Sequence, residues 1–209
     1  MLLSGCLNLI SVFDKYLNRR IFPLKMIIAI GGKPGSGKST VAKELAKRLG
    51  MKHYSAGDFM RKLAAERGMS LIQLSKIAEK DFSIDDAIDS WLRKLAKQEN
   101  DFVVDSRLAF HFIHSAVKIY LDVDLDTAAK RIFSGPVRKT ETEKIRNVEA
   151  LKEELKQRME SERKRYMKYY GVDIDDKSNY DLVIDTSNIS AEEVVEKIIR
   201  FLEERKKKF

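Results

Sequence analysis

The sequence predicts a parallel α/β domain, a sheet with helices on both faces. Short apolar runs at residues 26–30, 52–55, 102–105, 117–123 and 181–185 alternate with longer amphipathic stretches. The longer runs are nearly continuous in Val, Ile, Tyr and Phe, as strands buried on both faces are. Strands alternating with helices call for a parallel sheet. With 209 residues, the chain fills one well-buried domain and is too short for two independent ones.

Each helix carries its own signal. Residues 38–49 place Val41, Leu45 and Leu49 on one face and stop at Gly50, a common helix-ending residue. Residues 58–98 read as three short helices, broken at Gly68 and near Asp81. Residues 125–133 follow the fourth strand, and a long, highly charged helix is expected from about 141 to 170. Residues 191–209 close the chain behind Ser190, an N-cap residue. The terminal Lys206, Lys207 and Lys208 read as a solvated helix end.

Residues 1–25 read as an N-terminal extension of the domain at 26–209. Its apolar run comes before Asp14, Lys15, Arg19 and Arg20, the reverse of a secretory signal. The run is also shorter than the roughly 20 apolar residues of a spanning helix. The single cysteine, Cys6, rules out an internal disulfide and fits a reducing cytosol. The expectation is a cytoplasmic protein with no membrane partner. A net charge of +8 welcomes anions, yet no zinc-finger, RNA-recognition or helix-turn-helix signature accompanies it. No nucleic-acid partner is therefore expected.

The strongest motif is Gly32-Lys33-Pro34-Gly35-Ser36-Gly37-Lys38-Ser39, followed by Thr40. Its glycines let successive N–H groups turn inward onto phosphate oxygens, and the next helix aims its positive end at the same anion. Lys38 is expected to reach the β- and γ-phosphates of ATP, and the Ser39 hydroxyl to ligate Mg²⁺. A strand before the motif and a helix after it supply the required setting. A hydrolytic motor would usually end a second strand in adjacent acids that hold Mg²⁺ and orient water. Here the strand ends Val103-Val104-Asp105-Ser106-Arg107, one acid followed by a hydroxyl and a cation. A cation there suits a second anionic substrate, so the residues favour a small-molecule kinase.

Three further runs are more specific. They are Ser55-Ala56-Gly57-Asp58-Phe59-Met60-Arg61, Val104-Asp105-Ser106-Arg107-Leu108-Ala109 and Tyr169-Tyr170-Gly171-Val172-Asp173-Ile174-Asp175-Asp176. In this order they resemble the archaeal-type cytidylate kinases, which belong to the adenylate-kinase-like nucleoside monophosphate kinases. The resemblance covers residue 26 to about 199. It implies a P-loop three-layer α/β/α fold with a five-stranded parallel sheet, an acceptor-binding segment at about 58–98 and a lid at about 133–166. It also implies ATP with Mg²⁺ and CMP or dCMP as acceptor. Ser106 stands where the family usually has Gly, and residues 133–147 are longer than expected at the start of the lid. UMP or AMP follow CMP as acceptors, then shikimate or dephospho-coenzyme A. A nucleic-acid-linked ATPase is the reading from another class.

An acceptor that is itself a phosphate is already an anion, so no general base is required. Transfer then rests on positioning and charge neutralisation, which calls for arginines. Arg61 is placed to hold the acceptor phosphate, with Ser55 beside it; Asp58 suits either an acceptor contact or the N-cap of the helix. Arg107 follows the strand end at the carboxyl edge of the sheet, where open α/β folds bind ligands. Asp105 is expected to hold a Mg²⁺-bound water or to steady the phosphate loop. Arg158 and Arg165 are seven residues apart, on one face of the charged helix, with Glu162 between them as a partner for the cytosine amino group. That spacing matches the family's lid arginines, and Arg131 is expected to face ATP. His111 and His114 lack a third ligand for zinc, and Trp91 reads as core packing. A monomer suits lid motion.

Overall fold

The structure, a computed structural model, describes residues 26–69, 71–135 and 147–207. The expected N-terminal extension with Cys6, residues 136–146 of the expected lid, and Lys208 lie outside the described residues. Five strands form one parallel sheet: β1 (Ile27–Gly32), β2 (Lys52–Ser55), β3 (Phe102–Asp105), β4 (Val117–Asp122) and β5 (Leu182–Asp185). Their order across the sheet is β2-β3-β1-β4-β5. This is the adenylate-kinase-like three-layer α/β arrangement.

Both faces of β1 are buried, and the two apolar sets diverge residue by residue. Ile28 and Ile30 point to one layer with Val41, Ala42, Leu45 and Ala46 of α1 (Lys38–Leu49) and Val194, Val195, Ile198 and Leu202 of α8 (Ala191–Lys206). Ile27 and Ala29 point to the other layer, with Leu92 and Leu95 of α4 (Phe82–Gln98) and with Ala109 and Ile113. Neither face leaves room for polar side chains, which is why the run reads as continuously apolar. Leu45 has no exposed surface. Leu45→Ala is expected to cost about 2–5 kcal/mol in urea unfolding. A loss below about 1 kcal/mol would mean that α1 does not pack on the sheet as described.

The helices start and stop for local reasons. Gly50 ends α1 in the left-handed region at φ 63°, with Lys47 and Arg48 in its last turn. Arg48 also reaches Glu44, Glu192 and Glu196, tying α1 to α8. Ser190 and Glu193 form a reciprocal capping box at the start of α8. The expected three helices of 58–98 are α2 (Ala56–Glu66), α3 (Leu71–Ala78) and α4. A four-residue helix, α5 (Ala109–Phe112), falls below the length at which periodicity is readable. After β4 come α6 (Leu125–Ser134) and the charged helix α7 (Val148–Tyr170). The side chain of Asn147 caps α7 by accepting from Ala150 N–H at 2.8 Å. That cap sets the described start at 148; residues 141–146 of the expected helix lie outside the described residues.

Sheet register delivers the chemistry to one edge. Ile30 pairs with Asp105 on one side and Ile119 on the other, Gly32 pairs with Leu121, and Ser55 pairs with Asp105. The carboxyl ends of the strands therefore bring Ser55, Asp105, the glycine loop and Asp122 together.

Candidate active site

The loop between β1 and α1 curls through three glycines of positive φ: Gly32 at 128°, Gly35 at 74° and Gly37 at 85°. Gly35 presses against α6, where a Cβ would lie 2.8 Å from the Ala128 backbone. Gly37 has nothing within 4 Å of a would-be Cβ, so the space on that side of the turn is open. α1 begins at Lys38 and turns its first, unpartnered N–H groups toward that space. The buried Ser36 hydroxyl has no hydrogen-bond partner among the described residues. An open cradle of N–H donors with a spare hydroxyl fits the phosphates of ATP.

Lys38 closes the cradle. Its Nζ donates to the Lys33 carbonyl at 2.6 Å. Burial, reinforced by the Arg107 guanidinium, pushes the ammonium down to about 7. Asp105 and Glu162 oppose that shift without cancelling it. Lys33 points the other way, where Asp122 at the end of β4 receives its Nζ at 2.7 Å and that of Lys177 at 2.6 Å. Pro34 and Thr40 complete the loop and the first turn behind it.

Asp105 organises the loop from β3. Its Oδ1 accepts from the Ser39 hydroxyl at 2.9 Å and from the Ser55 hydroxyl at 3.1 Å, while Oδ2 lies 2.7 Å from His53 Nε2. A hydroxyl and a carboxylate in contact at the mouth of the loop are hard oxygen donors suited to Mg²⁺. Ser106 needs no glycine-like backbone: its N–H donates to Ile30 O at 3.1 Å and its hydroxyl accepts from Leu108 N–H at 3.3 Å.

Ser55 also answers the question left at Asp58. α2 starts at Ala56, and its cap is the Ser55 hydroxyl, which accepts from Asp58 N–H at 3.4 Å. Asp58 is therefore not the N-cap; it sits in the first turn, and its carboxylate pairs with Arg61. That pairing folds Arg61 back over Gly57.

The long helix α7 brings its charged face into the site. Glu162 is buried between two arginines: Arg158 Nε donates to its Oε1 at 3.0 Å, and Arg107 forms an ion pair with its Oε2. Burial pulls the Glu162 carboxyl up, but Arg107 and Arg158 outweigh it and hold it below the usual range. Arg165, one turn further, meets Asp85 of α4, while Tyr170 donates to Asp89. The charged face predicted from spacing thus exists: Glu162 and Arg165 are packed, while the Arg158 side chain stays 52% exposed.

Arg131 does not point into open space. Its guanidinium donates to Thr186 O at 2.7 Å and Thr186 Oγ1 at 3.3 Å, fastening α6 to the loop after β5. Thr186 in turn lies 3.2 Å from Ser36 O, so this fastening reaches the phosphate loop. Trp91 stacks on Phe59 at 5.0 Å and packs on the sheet. No cluster of three or more metal-ligating side chains occurs among the described residues. His53, Asp85, Asp122, Lys177 and Thr186 were not singled out from sequence. Only His53, directly before the Tyr54-Ser55 strand end and in register with Val103, carried a positional hint.

The cytidylate kinase-like family model matches residues 27–188. A protein named cytidylate kinase from Methanocella arvoryzae is 43% identical over 182 residues, covering 87% of this chain and 99% of that protein. One of the same name from Archaeoglobus fulgidus is 39% identical over 182 residues, covering 87% and 97%. Among solved structures, shikimate kinase from Bacteroides thetaiotaomicron superposes with a TM-score of 0.63 at 14% identity, covering 85% of this chain and 98% of that one. Shikimate kinase from Aquifex aeolicus gives 0.55 at 23% identity, covering 85% and 96%. At those identities the structural likeness speaks for the fold alone, whereas the family match spans the phosphate loop, Asp105, Arg107 and the arginine face of α7, and the chain belongs to the cytidylate kinase-like family.

Proposed function

We propose that the chain transfers the γ-phosphate of ATP to CMP or dCMP, giving ADP and CDP or dCDP. A phosphate oxygen of the acceptor forms a bond to the γ-phosphorus as the bond to the β,γ-bridging oxygen breaks, and that electron pair leaves with ADP. The observation that carries the reading is the convergence of Lys38, Arg107 and Arg158 around the buried Glu162, with no second acid beside Asp105. Such a ring neutralises charge on two phosphate groups.

The phosphate loop, residues 32–40, holds ATP, with Lys38 on the β- and γ-phosphates. Ser39, and Asp105 through a water, would hold Mg²⁺, which when bound would supply positive charge to offset that of the phosphates. Asp105 keeps the Ser39 hydroxyl and Ser55 in fixed relation, linking donor and acceptor halves. Arg107 and Arg158 take the acceptor phosphate, each held ready by Glu162, and Arg61 joins them once an incoming phosphate displaces Asp58. Arg131 fixes the loop after β5 against α6. Residues 58–98 act as the acceptor-binding segment and about 133–166 as the lid. The names of the relatives support cytidine nucleotides as acceptors. No helix among the described residues is long and apolar enough to cross a membrane. The reading places the chain in the cytoplasm as a monomer.

A coupled ADP-release assay with ATP and Mg²⁺ against CMP, dCMP, UMP, AMP and GMP, with a no-acceptor control, tests it. Turnover is expected with CMP or dCMP and to be nearly absent without acceptor. ADP release that is the same with and without every nucleotide would overturn the reading.

A further inference from the structure

Asp105 is held at both of its oxygens. Oδ1 accepts from the Ser39 hydroxyl at 2.9 Å and from the Ser55 hydroxyl at 3.1 Å, and His53 Nε2 stands 2.7 Å from Oδ2. An ionised carboxylate can only accept, so Nε2 carries the ring proton and donates it. A carboxylate turns easily about its last bond, because that torsion is broad and roughly two-fold. Two hydroxyls on one oxygen leave that turn open, whereas a donor on the second oxygen stops it. The Asp105 side chain is 5% exposed and that of His53 21%, so little water competes for the bond.

Strand register makes this contact. His53 and Ser55 stand two apart on β2 and so share one face, and Ser55 pairs with Asp105. Tyr54 between them turns to the opposite face, against the Phe102 ring at 5.5 Å. The imidazole therefore reaches along β3 from the level of Val103 to the carboxylate at the strand end. Across that carboxylate stands Ser39, in the first turn of α1. By taking the Ser39 proton, Oδ1 leaves the lone pairs of that hydroxyl for a cation. With two donors on Oδ1 and one on Oδ2, the room for a metal-bound water lies on the oxygen that His53 holds.

We propose that His53 is a positioning residue for metal-assisted ATP binding. Its Nε2–H fixes the plane of the Asp105 carboxylate, so that one oxygen faces Ser39 and the other faces the water through which Asp105 would hold Mg²⁺. The proposal rests on the phosphate loop binding ATP with Mg²⁺, and is independent of which acceptor is used. The imidazole itself touches neither metal nor nucleotide. Partners that orient a metal's ligands are worth on the order of 10- to 100-fold in metal affinity or activity when lost. A histidine that merely packed β2, at the edge of the sheet, would support ATP equally with and without the metal.

The test is calorimetric titration of the full chain with ATP, once with Mg²⁺ and once with the metal chelated, in the unaltered protein, His53→Leu and His53→Gln. The readout is the ratio of the two dissociation constants, metal-free over metal-bound. In His53→Leu that ratio is expected to fall about 10-fold, with the metal-free constant nearly unchanged. His53→Gln, whose amide can donate from a similar reach, is expected to recover most of it. In an Asp105→Asn background, His53→Leu should cost little further, because the histidine acts through that carboxylate. An unchanged ratio in His53→Leu would overturn the assignment. So would equal weakening with and without Mg²⁺, or a loss that persists undiminished beside Asp105→Asn. If the unaltered protein binds ATP but phosphorylates no nucleoside monophosphate, the proposed function fails while the His53 result stands; if it binds no ATP, both fail.

Discussion

Replacing Lys38 by Met is expected to lower turnover roughly 100- to 1,000-fold, the loss seen when one preorganised charge-stabilising donor is removed from a transferring group, and at the same time to raise the stability of the nucleotide-free protein. The two effects have one cause. Burial and the nearby Arg107 penalise the charged form of Lys38, pushing the ammonium down to about 7. In the unfolded chain a lysine titrates near 10.4. Between those values the unfolded state binds more protons, so this group makes stability rise with pH from about 7 to 10 and leaves its full penalty in place below 7. Lys38→Met removes the penalty and flattens that rise, which thermal unfolding across pH reads directly. Phosphates favour the charged form, so ATP binding above pH 7 is expected to take up close to one proton, and affinity to weaken as pH increases. Calorimetry at pH 8 in buffers of different ionisation enthalpy measures the uptake. Finding no uptake, or uptake that persists in Lys38→Met, would show that the lysine is not what the phosphates charge.

The parts of this molecule that were legible in its sequence are those set by local rules. β2 and β3 fall at their predicted bounds, and β1, β4 and β5 shift by two residues or fewer; β1 and β3, buried along their whole length, declare themselves by composition, whereas the edge strands β2 and β5 are partly exposed. Gly50 and Ser190 declare helix ends through single-residue physics. Asp85 and Asp89 declared nothing. In the stretch Ile84-Asp85-Asp86-Ala87-Ile88-Asp89 three acids in six residues read as a solvated face, yet Asp85 and Asp89 are buried and meet Arg165 and Tyr170 of α7, about 80 residues away. Burial then pushes both carboxyls up to about 6, against the opposing pulls of Arg165 and Tyr170. His53 was hidden differently: one histidine in a short strand has no pattern, and its role appears only when register sets it beside the strand that ends in Asp105. At Asp58 the local signal misled, because two residues able to cap stand three apart and the strand before them ends at the first. Motifs thus singled out the glycine loop and the arginines, while the carboxylates that pair with those arginines belong to tertiary packing.

Gly32→Ala is expected to damage the fold itself, by about 3–5 kcal/mol, and its contrast with Gly37→Ala separates the loop's two requirements. Both glycines have positive φ, 128° and 85°. An alanine Cβ at Gly32 would lie 2.1 Å from the Leu121 carbonyl oxygen. That oxygen accepts from Lys33 N–H at 3.2 Å and belongs to the β1–β4 ladder, so neither partner can move without parting two central strands. At Gly37 nothing lies within 4 Å, and alanine there meets only the backbone preference of an L-residue, about 1–2 kcal/mol. The same Cβ would enter the open side of the turn, where the proposed function seats a phosphate. Gly32→Ala should therefore unfold at lower denaturant concentration than Gly37→Ala, while Gly37→Ala should remain folded and lose ATP binding. Equal stability losses would mean that the approach of Leu121 does not constrain the loop. Undiminished ATP binding in a folded Gly37→Ala would mean that the phosphates lie elsewhere than on the open side of the turn.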